Sequence, residues 1–338
     1  MYVIKRKPED FVVEELVDLR FKSNGSYLVI RVMKRGRNTE DVAQLLAERL
    51  GIPRRDVGYA GAKDRNAVTT QYFSVKGLKG EDVTAVKVTD VTIEFVGYSD
   101  EAIGLGALEG NRFTITIRNL EGDEELSLPE SIPNYFDEQR FGSNNAAIGK
   151  AIIRKEWGVA IMEIRKSGAP EVRLLDDYLL GHPGDATGGL LRLPRQLLRM
   201  YLHSYQSLLW NRALGRYIIQ HNPSTKNITY SSGEFIFPEN DTVVENAPLP
   251  LPGFTITDNN LMAEILAEEG LTSRDFVIRQ LPNLSLEGAE RDALISIRDF
   301  SASDFCDDDE FSRKKKVILT FSLPKGSYAT MVVKAMLG

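Results

Sequence analysis

What most constrains the fold of this chain is where its strand-like segments stand. FTITIR (113–118) alternates apolar and polar residues, the period-two pattern of a strand buried on one face. FVVEEL (11–16) and YLVIRVMK (27–34) are β-rich and partly alternating, and VTTQYFSV (68–75) reads as another strand. VILTFSL (317–323) adds one near the C-terminus, followed by PKGS and a helical YATMVVKAML (328–337). Between these groups lie helical stretches at 146–157 and 195–219, the second with Leu198, Tyr201, Leu202, Tyr205 and Leu209 on one face. An earlier helix is punctuated clearly. Thr39 is its expected N-cap, Val42, Leu45, Leu46 and Leu50 its apolar stripe, and Gly51 with Pro53 its stop. Residues 121–133 read as a loop, and 222–260, rich in Pro, Asn, Gly and Thr, as loops and short strands. Strands and helices mixed without regular βαβ alternation give an α+β class.

A length of 338 residues favours two domains and allows a sizeable core. The chain is 42% hydrophobic and 27% charged, as globular proteins are. Its one cysteine, Cys306, cannot form an internal disulfide or a multi-thiolate metal site, and His182, His203 and His221 lack ligand spacing. The N-terminal MYVIKRKPEDF has no signal-peptide core, and no apolar run approaches the ~18–20 residues of a membrane span. A cytoplasmic enzyme or binding protein, free of metal and membrane, is the expectation. Net charge is −6, yet residues 1–80 hold 16 Lys+Arg against 10 Asp+Glu, and the remainder is acidic. The clusters Lys34, Arg35, Arg37 and Arg54, Arg55 either bind phosphates by counterion release or are solvated surface charge.

GLGALEG (104–110) fails as a dinucleotide fingerprint on spacing, and a strand follows it where a helix should begin. Walker A, HExxH, CxxC and GxSxG patterns are absent from the sequence. His203, between apolar turns of a helix, reads as structural. GYAGAKDRNAVTTQ (58–71) is different. Its glycines permit close backbone approach, and Asp64 stands between Lys63 and Arg65, where positive charge favours the ionised form a nucleophile needs. A charged surface turn would look the same locally.

That segment resembles the catalytic loop of the TruD family of tRNA pseudouridine synthases. Four further blocks resemble the family in its order: KPEDFVVEE (7–15), GALEGNRFTITIR (106–118), PNYFDEQRFG (133–142) and FSLPKGSYATMVV (321–333). The wording AGAKDRNAVTTQ is nearer to archaeal and eukaryotic members than to bacterial ones. The resemblance implies isomerisation of a uridine in RNA, without cofactor, and a flipped target base. It implies Asp64 as the essential aspartate, Lys5 (or the neighbouring Lys7) as its basic partner, and Phe113 as the aromatic beside the base. Phe11, Asn111 and Tyr328 match substrate-binding positions. Phe11 and Phe113 are also ordinary core residues by their apolar strands. Gln71, Asn134, Gln139 and Arg140 lie in matching blocks and fit structural roles, and Tyr205 and Gln206 match a recurrent packing feature.

The implied architecture is a catalytic domain around a mixed, mostly antiparallel sheet (residues 1–143 and 287–338), interrupted by an inserted α/β TRUD domain (144–286). The return of the chain would place Tyr328 beside Asp64, and a cleft would receive RNA. Two residues depart from the family pattern. Ala62 replaces a bulkier residue, and Asp137 stands where glycine is common, which would cost strain if positive φ were required. The expected substrate is tRNA, at uridine 13. Uridine 35 or another RNA is the alternative, as is a non-catalytic RNA chaperone. A hydrolase pairing Asp64 with Glu14 or Glu15 is a third reading.

Overall fold

The structure, a computed structural model, describes residues 2–127, 129–239, 244–255 and 260–338. Along the chain come β1 (Phe11–Leu16), β2 (Tyr27–Arg35), α1 (Thr39–Leu50), β3 (Val57–Tyr59), β4 (Val68–Lys76), α2 (Gly80–Thr84), β5 (Val91–Ser99) and β6 (Gly110–Leu120). The middle holds β7 (Ser131–Pro133), α3 (Asn145–Ile153), α4 (Trp157–Lys166), α5 (Val172–Gly181), α6 (Ala186–Leu190) and α7 (Arg195–His221). It continues with β8 (Thr225–Tyr230), β9 (Gly233–Pro238), β10 (Pro248–Leu251), α8 (Asn260–Glu268), β11 (Ala289–Asp292) and β12 (Leu294–Ser296). The chain ends with β13 (Arg298–Ala302), β14 (Cys306–Asp307), β15 (Lys315–Pro324) and α9 (Ala329–Leu337). Of the stretches expected as loops, residue 128 and residues 240–243 and 256–259 lie outside the described residues.

Two compact units result. The first runs to Glu130 and resumes over Ser296–Ala329; the second comprises Ser131–Ile295 and Thr330–Met336. The expected boundaries, 143/144 and 286/287, therefore stand inside the second unit. The reason is local pairing: β10 pairs β11 over Leu251↔Ala289, and Asn134 N–H donates to Ala293 O at 2.8 Å. Most of α9 also joins this unit, because Asp137 accepts from Thr330 Oγ1 at 2.7 Å and Lys334 Nζ at 2.6 Å. Asp137 has φ −75, so no strain arises from its replacing glycine.

In the first unit, nine strands of the described residues form one sheet, ordered β13-β15-β6-β1-β4-β2-β5, with β14 on β15 and β3 on β4. β1 and β4 run parallel, and the other pairs are antiparallel, as an α+β reading expects. Register fixes one buried face. Val13 lies opposite Phe113, Phe113 opposite Phe321, Val13 beside Thr69, and Lys34 opposite Thr69. Since side chains alternate, Leu28, Ile30, Val32 and Lys34 of β2 all point to that face with Gln71, Phe73 and Val75 of β4. The amphipathic α1 covers it through Val42, Ala43, Leu46 and Ala47.

The second unit is built around α7, about 40 Å long at 1.5 Å per residue. Its stripe, including Leu198, Tyr201, Leu202, Tyr205 and Leu209, is almost fully buried with residues of α3, α4 and α8. Gly149 of α3 lets the two backbones approach: a Cβ there would stand 2.1 Å from Tyr201 O. Leu198→Ala-type truncations in such a core typically cost about 2–5 kcal/mol.

Candidate active site

Asp64 lies on the loop between β3 and β4, and that loop is tied at four points. Gly106 N–H donates to Ala60 O at 2.7 Å, and Gln71 Nε2 to Gly61 O at 3.0 Å. Lys63 N–H donates to Thr39 Oγ1 at 2.9 Å, and Lys34 Nζ to Asp64 O at 3.0 Å and Arg37 O at 2.6 Å. The ties explain two departures from expectation. Thr39 does not cap α1; Asn38 occupies the N-cap, while the buried Thr39 hydroxyl donates to Gln71 Oε1 and supports the loop. Lys34 is no surface cation, since it has no exposed area and burial pushes its ammonium down to about 8, opposed by the Asp64 charge. Its signal was in the sequence: Leu28, Ile30, Val32 and Lys34 share one alternation. Just before the loop, Gly58 of β3 is required by close approach, because a Cβ would lie 2.5 Å from Ile103 O.

The Asp64 carboxylate is 37% exposed and bonds Lys5 Nζ at 2.6 Å. Lys5 sits at φ 56, a region costly for a residue with Cβ and one that clusters at functional sites. Asn66 Nδ2 donates to its carbonyl at 3.0 Å and holds that conformation. Lys7, the neighbouring candidate, pairs instead with Asp309 at 3.0 Å.

Lys5 Nζ also lies 4.0 Å from the centre of the Phe11 ring. Phe11 meets Phe113 edge-on at 6.0 Å, and Phe113 meets Phe321 at 5.7 Å. Both Phe11 and Phe113 are buried, so the packing role weighed from the sequence is real for each. Asn111 stands two residues before Phe113 on the same face, opposite Glu15 and Leu323. Its Oδ1 is buried without a partner, a rare state for a polar atom. A continuous series of contacts thus joins Asp64, Lys5, Phe11 and Phe113, with Asn111 alongside. Tyr328 is half-buried between β15 and α9, at the end of the sheet where Pro324 pairs Gly110.

Carboxylate pairing of the hydrolase type is not formed. Glu15 is buried, bonded to Lys63 Nζ at 2.8 Å and Tyr72 N–H at 3.0 Å. Glu14 alternates to the opposite face, toward Arg31. His203 bonds Gln206 at 3.0 Å inside α7, and burial lowers its pKa, as suits a structural histidine. Asn134 and Arg140 also serve the second unit: Asn134 binds Asp292 O and Arg291, and Arg140 reaches Ser207 Oγ. Among the described residues, no cluster of His, Cys, Asp or Glu could hold a metal ion, and no helix is long and apolar enough to cross a membrane.

Known proteins are similar to this chain along nearly its whole length. The chain is 27% identical over 383 residues to the tRNA pseudouridine synthase D of Aquifex aeolicus, covering 98% of this chain and 97% of that one. It is 27% identical over 384 residues to a protein assigned as tRNA pseudouridine synthase D 1 in Methanococcus maripaludis, covering 98% of each. A crystal structure of a Methanosarcina mazei protein assigned as tRNA pseudouridine synthase D shares the fold, at TM-score 0.70 and 24% identity, over 99% of this chain and 93% of that one. The family model described as tRNA pseudouridine synthase D (TruD) matches residues 2–173, 163–248 and 246–336, so this chain belongs to the TruD family.

Proposed function

We propose that the protein isomerises a uridine of tRNA to pseudouridine in the cytoplasm, with uridine 13 as its target and Asp64 as the essential carboxylate. The observation that carries this reading is the setting of Asp64: a half-exposed carboxylate on a four-point loop, 2.6 Å from a lysine and next to an aromatic cluster. The reaction breaks the N1–C1′ bond and forms C5–C1′; C5 gives up a proton and N1 gains one. Atoms and electrons balance within the substrate, so the chemistry calls for no cofactor. The base must leave its stack to reach Asp64. Lys5 then fixes the carboxylate, and Phe113 forms the floor beneath the base. Asn111 Oδ1, which lacks a donor, is complementary to the uracil N3–H. Tyr328 contributes a further wall.

Carbodiimide mapping of pseudouridine in total tRNA tests this, with wild type and Asp64→Ala in parallel. We expect a reverse-transcription stop one base from uridine 13 with wild type only. A stop elsewhere reassigns the target, and a stop that survives Asp64→Ala removes Asp64 from the mechanism. No stop with either protein would point to another RNA or to a chaperone role.

A further inference from the structure

Beside the Asp64 loop is a cavity of about 370 Å³ lined by Arg35, Gly36, Arg37, Arg65, Asp41 and Asp90. Three guanidinium groups at one opening are informative only if they are free, and two are. Arg35 donates to Glu9, and Asp41 accepts from Asn38 Nδ2 at 2.9 Å. Arg37 and Arg65 have no ion pair among the described residues, and unlike Arg20, Arg49 and Arg55 of the same unit, which are also unpaired, they stand together at one opening. Arg37, a residue that lines the opening, is half-buried, and its Nε is enclosed with no hydrogen-bond partner. The planar fork of an arginine matches a phosphate in two-point contact.

The cavity is also tied to the catalytic loop. Arg65 follows Asp64 in the chain, and the Lys34 ammonium binds the carbonyls of both Arg37 and Asp64. Gly36 N–H donates to Ala67 O at 3.1 Å. What enters the cavity and what reaches Asp64 are therefore held in fixed relation.

We infer that Arg37 and Arg65 seat a backbone phosphate of the RNA strand, next to the nucleotide whose base is presented to Asp64. This rests on the reading of an RNA substrate, but not on turnover. Filter binding of bulk tRNA across a potassium chloride series tests it, with Arg37→Gln, Arg65→Gln, the double variant, and the exposed, unpaired Arg49→Gln as a general charge control. The double variant should bind about tenfold more weakly at 0.1 M salt, with a log–log salt slope reduced by about 0.7–0.9, the value for one phosphate contact. Arg49→Gln should stay within about twofold of wild type. Unchanged binding in the double variant, or an equal loss in Arg49→Gln, overturns the seat while the RNA reading stands. Wild type that binds no tRNA sinks both. Should Arg37→Gln fail to fold, the exposed Arg65→Gln alone decides: a threefold or greater loss supports the seat, and none refutes it.

Discussion

Lys34 shows how one buried charge organises its surroundings. Its ammonium has no exposed surface and is surrounded by the carbonyls of Arg37, Lys63 and Asp64. Burial lowers its pKa from 10.5 to about 8. Between those values the unfolded chain binds the proton and the folded one does not, so this group makes stability rise with pH across the window. Below about pH 8 both states are protonated and its contribution is flat. Lys34→Met should abolish that rise: the difference in urea stability, wild type minus variant, should grow in favour of wild type from pH 7.5 to 9.5. Parallel pH profiles would show that Lys34 does not titrate there.

At the scale of elements, the β3–β4 loop depends on the start of α1 and the middle of β4. Gln71 is the junction, donating to Gly61 O and accepting from Thr39 Oγ1, with both side chains buried. Gln71→Leu keeps the bulk but leaves the buried Thr39 hydroxyl proton without its acceptor and the Gly61 carbonyl without its donor, a cost of about 1–3 kcal/mol. We expect lower turnover at saturating tRNA and a lower denaturation midpoint, with RNA affinity within about twofold. Full turnover at reduced stability would make Gln71 a core residue with no influence on the loop. Such a tie is hard to read in advance, because Thr39 satisfies every local rule for a cap and tertiary demand reassigns its hydroxyl.

At the scale of the molecule, the discontinuous first unit is closed by a buried ionic network. Arg118 of β6 binds Asp10 at 2.8 Å, just before β1, and Asp308 at 2.7 Å on the returning segment. Residues some 300 positions apart thus meet on one guanidinium, of which 2% is exposed. Removing one partner leaves the others charged and uncompensated, so Arg118→Leu should cost about 3–5 kcal/mol in chemical denaturation. A loss below about 1 kcal/mol would mean that Asp10 and Asp308 find water or protons instead. Nothing local in the acidic run at 307–310 shows that a distant arginine receives it.

The sequence by itself determined the alternation that sorts each strand into two faces, the amphipathic stripe of α7 and the ordered blocks that mark the family. Those depend on neighbours within a few residues, or on residues quoted in order. From them Asp64, Lys5, Phe11, Phe113 and Asn111 could all be named. Only the tertiary structure decided that Lys5 and not Lys7 meets Asp64, that Lys34 is buried while Arg37 and Arg65 stay unpaired, and that Asp137 anchors α9. The physical reason is that ion pairing and desolvation depend on distance and burial in space, and both are set by strand register and chain return rather than by any local pattern.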